Sequence, residues 1–353
     1  DGAAPTTAVT VDSDQNVTIA GSLTASGINY PSDGALSGTR NRIINGDFSV
    51  AQRGTSFVAS DNNDDTYTLD RWYILSDGND AIDVTQETST VPTNQKYAIA
   101  LDVETANKKF GIAQIIENVN CVGLTGNTVT LSFKAKVSST TKLDNVKAAI
   151  VAWSGTADTV TSDIISAWGA EDTNPTLIAN ATYENTPANL NVTTSYATYT
   201  VSAAVDTAST SNIIVFIWSD VTDTTAGDFL YVTDVQLEPG TVATPFERRS
   251  YGQELALCQR YYQKSYEQGV APASNDSAGC RQALSNGVGL FSSSVTFPVV
   301  MRAAPTITLY TVTGTVSSLS VGTSVGSSGF FATESGGTTN SSTRFHYAAS
   351  IEL

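Results

Sequence analysis

VTLSFKAKV (Val129–Val137) alternates residue by residue: Val129, Leu131, Phe133, Ala135 and Val137 on one side, Thr130, Ser132, Lys134 and Lys136 on the other. A period of two places one set against a core and the other in water, which is a β-strand with one wet face. Outward from it, Tyr97, Ile99, Leu101 and Val103 repeat the alternation, as do Phe229, Tyr231, Thr233, Val235 and Leu237. Ala148–Trp153 and Ile213–Trp218 are unbroken apolar runs of strand length, expected to be buried on both faces. Turn-rich stretches separate these strands, at Ser60–Asp65, Asn118–Asn127, Ser154–Asp158 and Asp220–Asp228. Short punctuated strands without intervening helical patterns predict an all-β fold, an antiparallel jelly-roll β-sandwich.

Charge divides the chain. Its 353 residues carry 18 Lys+Arg, 34 Asp+Glu and a formal net charge of −16. From Ser265 onward there are only four acids and three bases, in a stretch rich in Ser, Thr, Gly and Val. The shift predicts a boundary near 250–265 and a small C-terminal β domain over 265–353. At the boundary, SYGQELALCQRYYQK (Ser250–Lys264) opens with a capping box, Ser250 and Gln253, and predicts one connecting α-helix within 248–264. Leu255, Cys258 and Tyr262 form its stripe, expected to pack on its own chain or on copies of itself. Val9, Val11, Val17, Ile19 and Leu23 are the sizeable apolar residues of the first 24. So thin a stretch cannot bury a core alone, so 1–40 is expected to be an extended fibre segment that oligomerises. The sandwich is left with 41–247.

The acid excess argues against nucleic acid, which is held by Lys and Arg on phosphates. No apolar stretch approaches 18 residues, so no membrane insertion is expected, and the N-terminus lacks a signal-peptide pattern and an initiator Met, as in a chain that is processed or numbered from within a longer product. Cys121, Cys258 and Cys280, odd in number and widely spaced, predict neither a disulfide framework nor a metal site, and point to folding in a reducing cytoplasm. His346, the single imidazole, falls in a predicted strand and suggests a structural role; no phosphate-binding glycine loop with its lysine is present. DNNDD (Asp61–Asp65) lacks the calcium-loop spacing and reads as a surface turn. No cofactor or metal is expected. Paired carboxylates are the enzymatic alternative, since glycoside hydrolysis needs only two. Aromatic residues give the binding argument: a sugar stacks its CH face on a ring while amides and hydroxyls take its OH groups. Trp153 and Trp168 flank the polar stretch Ser154–Asn191, with Tyr183 and Tyr196 nearby, and these four are the candidate ligand residues. Core packing is the alternative for Trp153 and loop anchoring for Trp168; Trp72 and Trp218 are expected inside.

NRIINGDFSVAQRGTSF (Asn41–Phe57), LDRWYI (Leu69–Ile74) and VTDVQLEPGTVATPFERRSYGQELALCQRYYQKS (Val232–Ser265) resemble the opening and close of a jelly-roll module of bacteriophage tail-fibre and other virion structural proteins. FPVVMRAAPTITL (Phe297–Leu309) is similar to their C-terminal domain. The resemblance implies a carbohydrate-binding-module-like topology, a homotrimeric fibre, a place in the virion after assembly in the host cytoplasm, contacts to other virion proteins through the N-terminal segment, and adhesion to a host glycan or receptor. It also implies Asp47 and Asp234 as candidates for a structural calcium, against ordinary turn and strand-end roles. The function expected is that of a noncatalytic fibre; a capsid fibre or decoration protein, and the carbohydrate-binding module of a depolymerase or tailspike, are its alternatives.

Overall fold

In a computed structural model of the chain, the described residues are 9–11, 17–19, 23–25, 28–30, 40–206, 209–285, 290–312, 319–335 and 342–353. The strands begin with β1 (Val9–Val11), β2 (Val17–Ile19), β3 (Leu23–Ala25) and β4 (Ile28–Tyr30), which pair as two separate antiparallel ribbons. Next come β5 (Ser56–Phe57), β6 (Tyr73–Ser76), β7 (Ile82–Glu87), β8 (Ala98–Val103), β9 (Phe110–Ile116), β10 (Thr128–Val137) and β11 (Val146–Trp153). They continue as β12 (Ile165–Ala167), β13 (Thr176–Leu177), β14 (Ala181–Tyr183), β15 (Ala197–Ala204), β16 (Asn212–Ser219) and β17 (Phe229–Pro239). A helix, α1 (Tyr251–Gln259), leads to β18 (Tyr262–Lys264), β19 (Arg281–Ser285), β20 (Leu290–Thr296) and β21 (Thr306–Thr311). β22 (Leu319–Gly326), β23 (Gly329–Ser335) and β24 (Ser342–Ser350) complete the set.

The fold is all-β, with two antiparallel sheets stacked as a sandwich. One sheet has the order β15-β10-β17-β8-β7-β5 and the other β14-β11-β16-β9-β6. Between them lies the main core, which includes Phe48, Trp72, Leu101, Ile112, Leu131, Phe133, Ile150, Val215 and Leu237. In β10 the alternation works as the sequence reads: Val129, Leu131, Phe133, Ala135 and Val137 all point into this core.

β17 departs from its sequence pattern. Leu230 and Val232 point inward and so do Val235 and Leu237, while Phe229, Tyr231 and Thr233 do not belong to the core. The phase changes because Asp234 is an extra residue: the β10–β17 register shifts between Ser132 and Lys134, and Asp234 takes φ 54°. A bulge puts two residues opposite one and turns the rest of the strand over. The opening segment fits against the bulge. The Val235 N–H donates to Gly46 O at 2.9 Å, and a Cβ on Gly46 would stand 2.1 Å from Val235 O, so only glycine fits there.

α1 begins as expected, with the Ser250–Gln253 capping box present. It ends at Gln259, short of the stripe extended to Lys264. Tyr262–Lys264 instead forms β18, fully buried and paired with β24. Tertiary pairing overrides a helical pattern that the last turn could also satisfy. Of the two packings expected for this stripe the protomer shows the first: Cys258 and Tyr262 are buried within their own chain, and the partly buried Leu255 packs on the cluster that holds Cys258. The side chains of Val9, Val11, Val17 and Ile19 lie outside the described residues.

The C-terminal strands form a sheet of order β18-β24-β19-β20-β23-β22, with β21 also paired to β24. Phe297, Phe330 and Tyr347 interlock at its centre. Its end returns to the sandwich. Glu352 bridges Arg53 at 2.8 Å and also binds Arg71, whose guanidinium lies 3.7 Å from the Tyr261 ring centre. Leu353 is buried in the cluster behind the second sheet, and Tyr67 donates to its carbonyl at 2.6 Å. Arg260 grips Glu117 at 2.9 and 2.7 Å, a two-point bond that fixes α1 to the sandwich.

Candidate functional site

The two sheets present very different outer faces. β11 and β16 are buried along their whole length, and the second sheet accordingly has a further core on its back: Tyr73, Ile115, Val151, Ile214, Phe216 and Trp218. Two elements of the same chain cover it. One is α1 with Leu353; the other is the stretch between β11 and β15, folded back over the sheet. Trp153 and Trp168 each retain 9% exposure here. Trp168 packs 6.0 Å from Phe216, which stacks on Trp218 at 4.4 Å, and Trp153 donates to Thr156 O. The Tyr183 hydroxyl donates to Pro175 O at 2.8 Å, and burial pushes its pKa up. A buried charge cluster locks this cover in place. Asp220, wholly buried, receives Lys109 at 2.5 Å and Lys147 at 2.6 Å; the same ammoniums reach Ala170 O and Asn174 Oδ1 on the covering stretch. Three of the four residues offered as ligand contacts therefore belong to a closed core.

The outer face of the first sheet is open only in part: Gly240 and Thr244 bond over one end of it, where Thr130, Gln236 and Glu238 are buried, while the β15 side and the surroundings of Lys136 are uncovered. The β10 side chains pointing away from the core, Thr130, Ser132, Lys134 and Lys136, lie beside Thr198, Thr200 and Ser202 of β15 and Tyr231 and Thr233 of β17. Because the bulge reverses β17, Phe229 and Tyr231 come out side by side with ring centres 5.4 Å apart and planes at 11°. Both are half-buried. Tyr196 joins them: its hydroxyl donates to Thr90 O at 2.8 Å, and the Lys136 ammonium lies 5.9 Å from its ring and 5.5 Å from that of Tyr231. Among the described residues Lys136 has no carboxylate within ion-pair distance, whereas Lys134 is paired with Asp234 at 2.9 Å. Beside that pair is a hollow of about 410 Å³ lined by Ser132, Lys134, Thr198, Asp234, Thr244 and Phe246. Thr130 and Ser202 share a hydroxyl bond of 2.8 Å. The uncovered part thus offers two half-buried rings, the Lys136 ammonium and the exposed hydroxyls of Thr198, Thr200 and Ser202, whereas Thr130, Ser132 and Thr233 are buried; rings, a cation and hydroxyls are the groups that hold a sugar ring and its OH groups. Tyr196 is the one sequence candidate on it. Phe229 and Tyr231 were missed because their alternation continues smoothly into Val235 and Leu237; an aspartate in mid-strand was the available sign of a bulge.

The remaining candidates have structural partners. His346 is buried, stacked on Tyr266 at 3.8 Å, with Nδ1 3.0 Å from Ser265 Oγ and Nε2 3.0 Å from Asp276 O. Burial lowers its pKa. Asp47 accepts from the Ser49 N–H at 3.2 Å and Asp234 is committed to Lys134. Among the described residues no group of three or more His, Cys, Asp or Glu side chains is placed to hold a metal ion. On β7 and β8, Asp83 and Asp102 face each other, and burial raises the pKa of both; Asn62 donates to Asp83 at 2.8 Å. Cys121 and Cys258 are buried free thiols, and Cys280 is half-buried and free. No described helix is long and apolar enough to cross a membrane.

No family model and no curated protein matches the chain. Among solved structures it is similar to the enzymatically active domain of bacteriophage CBA120 tailspike protein 4 at 16% identity and TM-score 0.33. That likeness covers 60% of this chain and 24% of the tailspike chain, so the protein spans about a quarter of it. It is also similar to TmCBM61 in complex with β-1,4-galactotriose, at 14% identity and TM-score 0.31, over 57% of this chain and 100% of that one. The CBM22-1 xylan-binding domain from Paenibacillus barcinonensis matches at 10% identity and TM-score 0.29, over 55% and 99%. Likeness at this level does not extend to function.

Proposed function

We propose that the protein is a noncatalytic glycan-binding adhesion protein of a virion fibre, and that the open face of the six-stranded sheet takes the sugar. One observation carries the reading: the sandwich closes one outer face with its own chain and leaves part of the other uncovered, with Phe229 and Tyr231 parallel beside Lys136. Half-buried parallel rings beside a cation keep apolar ring surface at the solvent edge of the sheet, where a pyranose can stack on it. The fibre role rests on the resemblance of Asn41–Phe57 and Val232–Ser265 to virion structural proteins. Each of these segments contributes to the bulge that turns the rings outward: Gly46 from the first, Asp234 from the second.

Titration with polysaccharide from candidate host cells tests this. Phe229→Ala/Tyr231→Ala removes two ring contacts worth roughly 1 kcal/mol each, so affinity falls at least about tenfold with the fold intact. Trp168→Phe leaves affinity unchanged. Equal binding by the double variant refutes the face. No new reducing ends are expected on incubation with the polysaccharide; their appearance, abolished by Asp102→Asn, refutes the noncatalytic reading.

A further inference from the structure

β15 is an edge strand without protection. It pairs with β10 over eight residues, Ala197↔Ala135 to Ala204↔Thr128, in a register that never shifts. Among the described residues no backbone group hydrogen-bonds to its other side. Its sequence, ATYTVSAA, holds no charge, no proline and no glycine. Proteins normally blunt such an edge with a lysine, a proline, a bulge or brevity, because a flat row of free N–H and C=O groups pairs with any strand that arrives. Most other sheet edges follow that rule: β5 has two residues, β14 and β18 three each and β6 four, and β22 contains glycines and a shifted register; among the described strands β21, six uncharged residues paired to β24, is the other plain edge.

We propose that β15 pairs antiparallel with β15 of a second copy of this chain, joining two six-stranded sheets into one. The strand is self-complementary about Thr200. With Thr200 facing its counterpart, Thr198 faces Ser202 on the open side and Tyr199 faces Val201 on the core side. Hydroxyl–hydroxyl and aromatic–β-branched pairs are among the favourable cross-strand combinations. Tyr199 and Val201, both only partly buried against the core, gain cover. The contact is isologous, and the opposite edge of the sheet, β5, is too short to propagate it, so it closes at two copies instead of growing. A two-fold axis normal to the sheet leaves both open faces on the same side. The two Tyr231 rings then stand five strand spacings apart across the joined sheet and eight residues apart along it, about 36 Å in all. If the proposed sugar face is correct, a single polysaccharide is held at two places; the pairing itself does not depend on that.

Sedimentation without any glycan tests it. One strand pair is a small interface, so association is expected to rise across roughly 1–200 μM. The wild type should double in mass over that range, and Thr200→Lys, which sets two ammoniums opposite each other on an exposed edge, should weaken the doubling at least tenfold. Any association made through residues 1–39 persists in this variant and is thereby separated. Thr200→Cys should cross-link to a covalent dimer under mild oxidation, beyond any product the wild-type cysteines give. A wild type that never doubles, a Thr200→Lys variant that doubles like it, or no added cross-link from Thr200→Cys overturns the pairing.

Discussion

Replacing Asp220 by Asn probes the closure of the second sheet. The carboxylate is wholly buried and receives two ammoniums, themselves 1% and 6% exposed, at 2.5 and 2.6 Å. Asn keeps the shape and removes the only carboxylate in contact with either lysine among the described ion pairs. Lys109 retains Ala170 O and Lys147 retains Asn174 Oδ1, but neutral acceptors do not compensate a buried cation. Breaking such a buried set costs about 3–5 kcal/mol. For a sandwich of this size, that is a fall in Tm of roughly 6–20 °C. Added salt should restore little of it, because buried charges are poorly screened. Lys147→Met in the Asp220→Asn background should recover part of the loss by deleting one orphaned ammonium. Urea and thermal unfolding give the stability. Hydrogen exchange should show the amides of 154–185 released before those of β10 and β17. A loss below about 1 kcal/mol, or one that the second substitution deepens, refutes the account of a charge cluster that locks the cover.

Trp168→Ala should cost about 3–5 kcal/mol in chemical unfolding, the range for emptying an aromatic core site, and should leave glycan affinity of the folded fraction unchanged. The Asp65 carboxyl is pushed up to about 7 from 3.8 by burial first and then by Asp64 and Asp163, so the fold favours its neutral form. Its contribution is present below the unfolded value and lost as pH rises through about 7. Asp65→Asn, compatible with the φ of 64° there, should therefore raise Tm most at pH 8, less at pH 5, and change it little below the unfolded value of 3.8. Tyr196→Phe breaks the bond to Thr90 O but keeps the ring, and should reduce glycan affinity less than Tyr196→Ala in the same titration.

Much of the sandwich was legible because β10 and β8 obey a period of two and because Ala148–Trp153 and Ile213–Trp218 are apolar on both sides. That second reading contained a demand that the sequence alone did not resolve. A strand buried on both faces needs a cover, and the cover is the polar stretch after Trp153 itself. Trp168, Ile164 and Leu177 supply its inner side. Reading that stretch as an exposed sugar face separated the tryptophans from the strands they were needed to close. The open face escaped for the opposite reason. One inserted residue at Asp234 reverses β17, and no composition signal distinguishes Phe229 and Tyr231 pointing out from the same residues pointing in. The helix start was legible from Ser250 and Gln253, which act locally. Its end was set by β24, some 85 residues away in the chain, which captures Tyr262–Lys264 as a strand.

The central claim is that sugar meets the six-stranded sheet and not the covered one. Amide hydrogen exchange with and without saturating host polysaccharide measures it most directly. The account predicts new protection confined to β10, β15 and β17 around Lys136, Tyr196 and Tyr231. Protection over 154–185 around Trp153 and Trp168, with none on the open sheet, contradicts it.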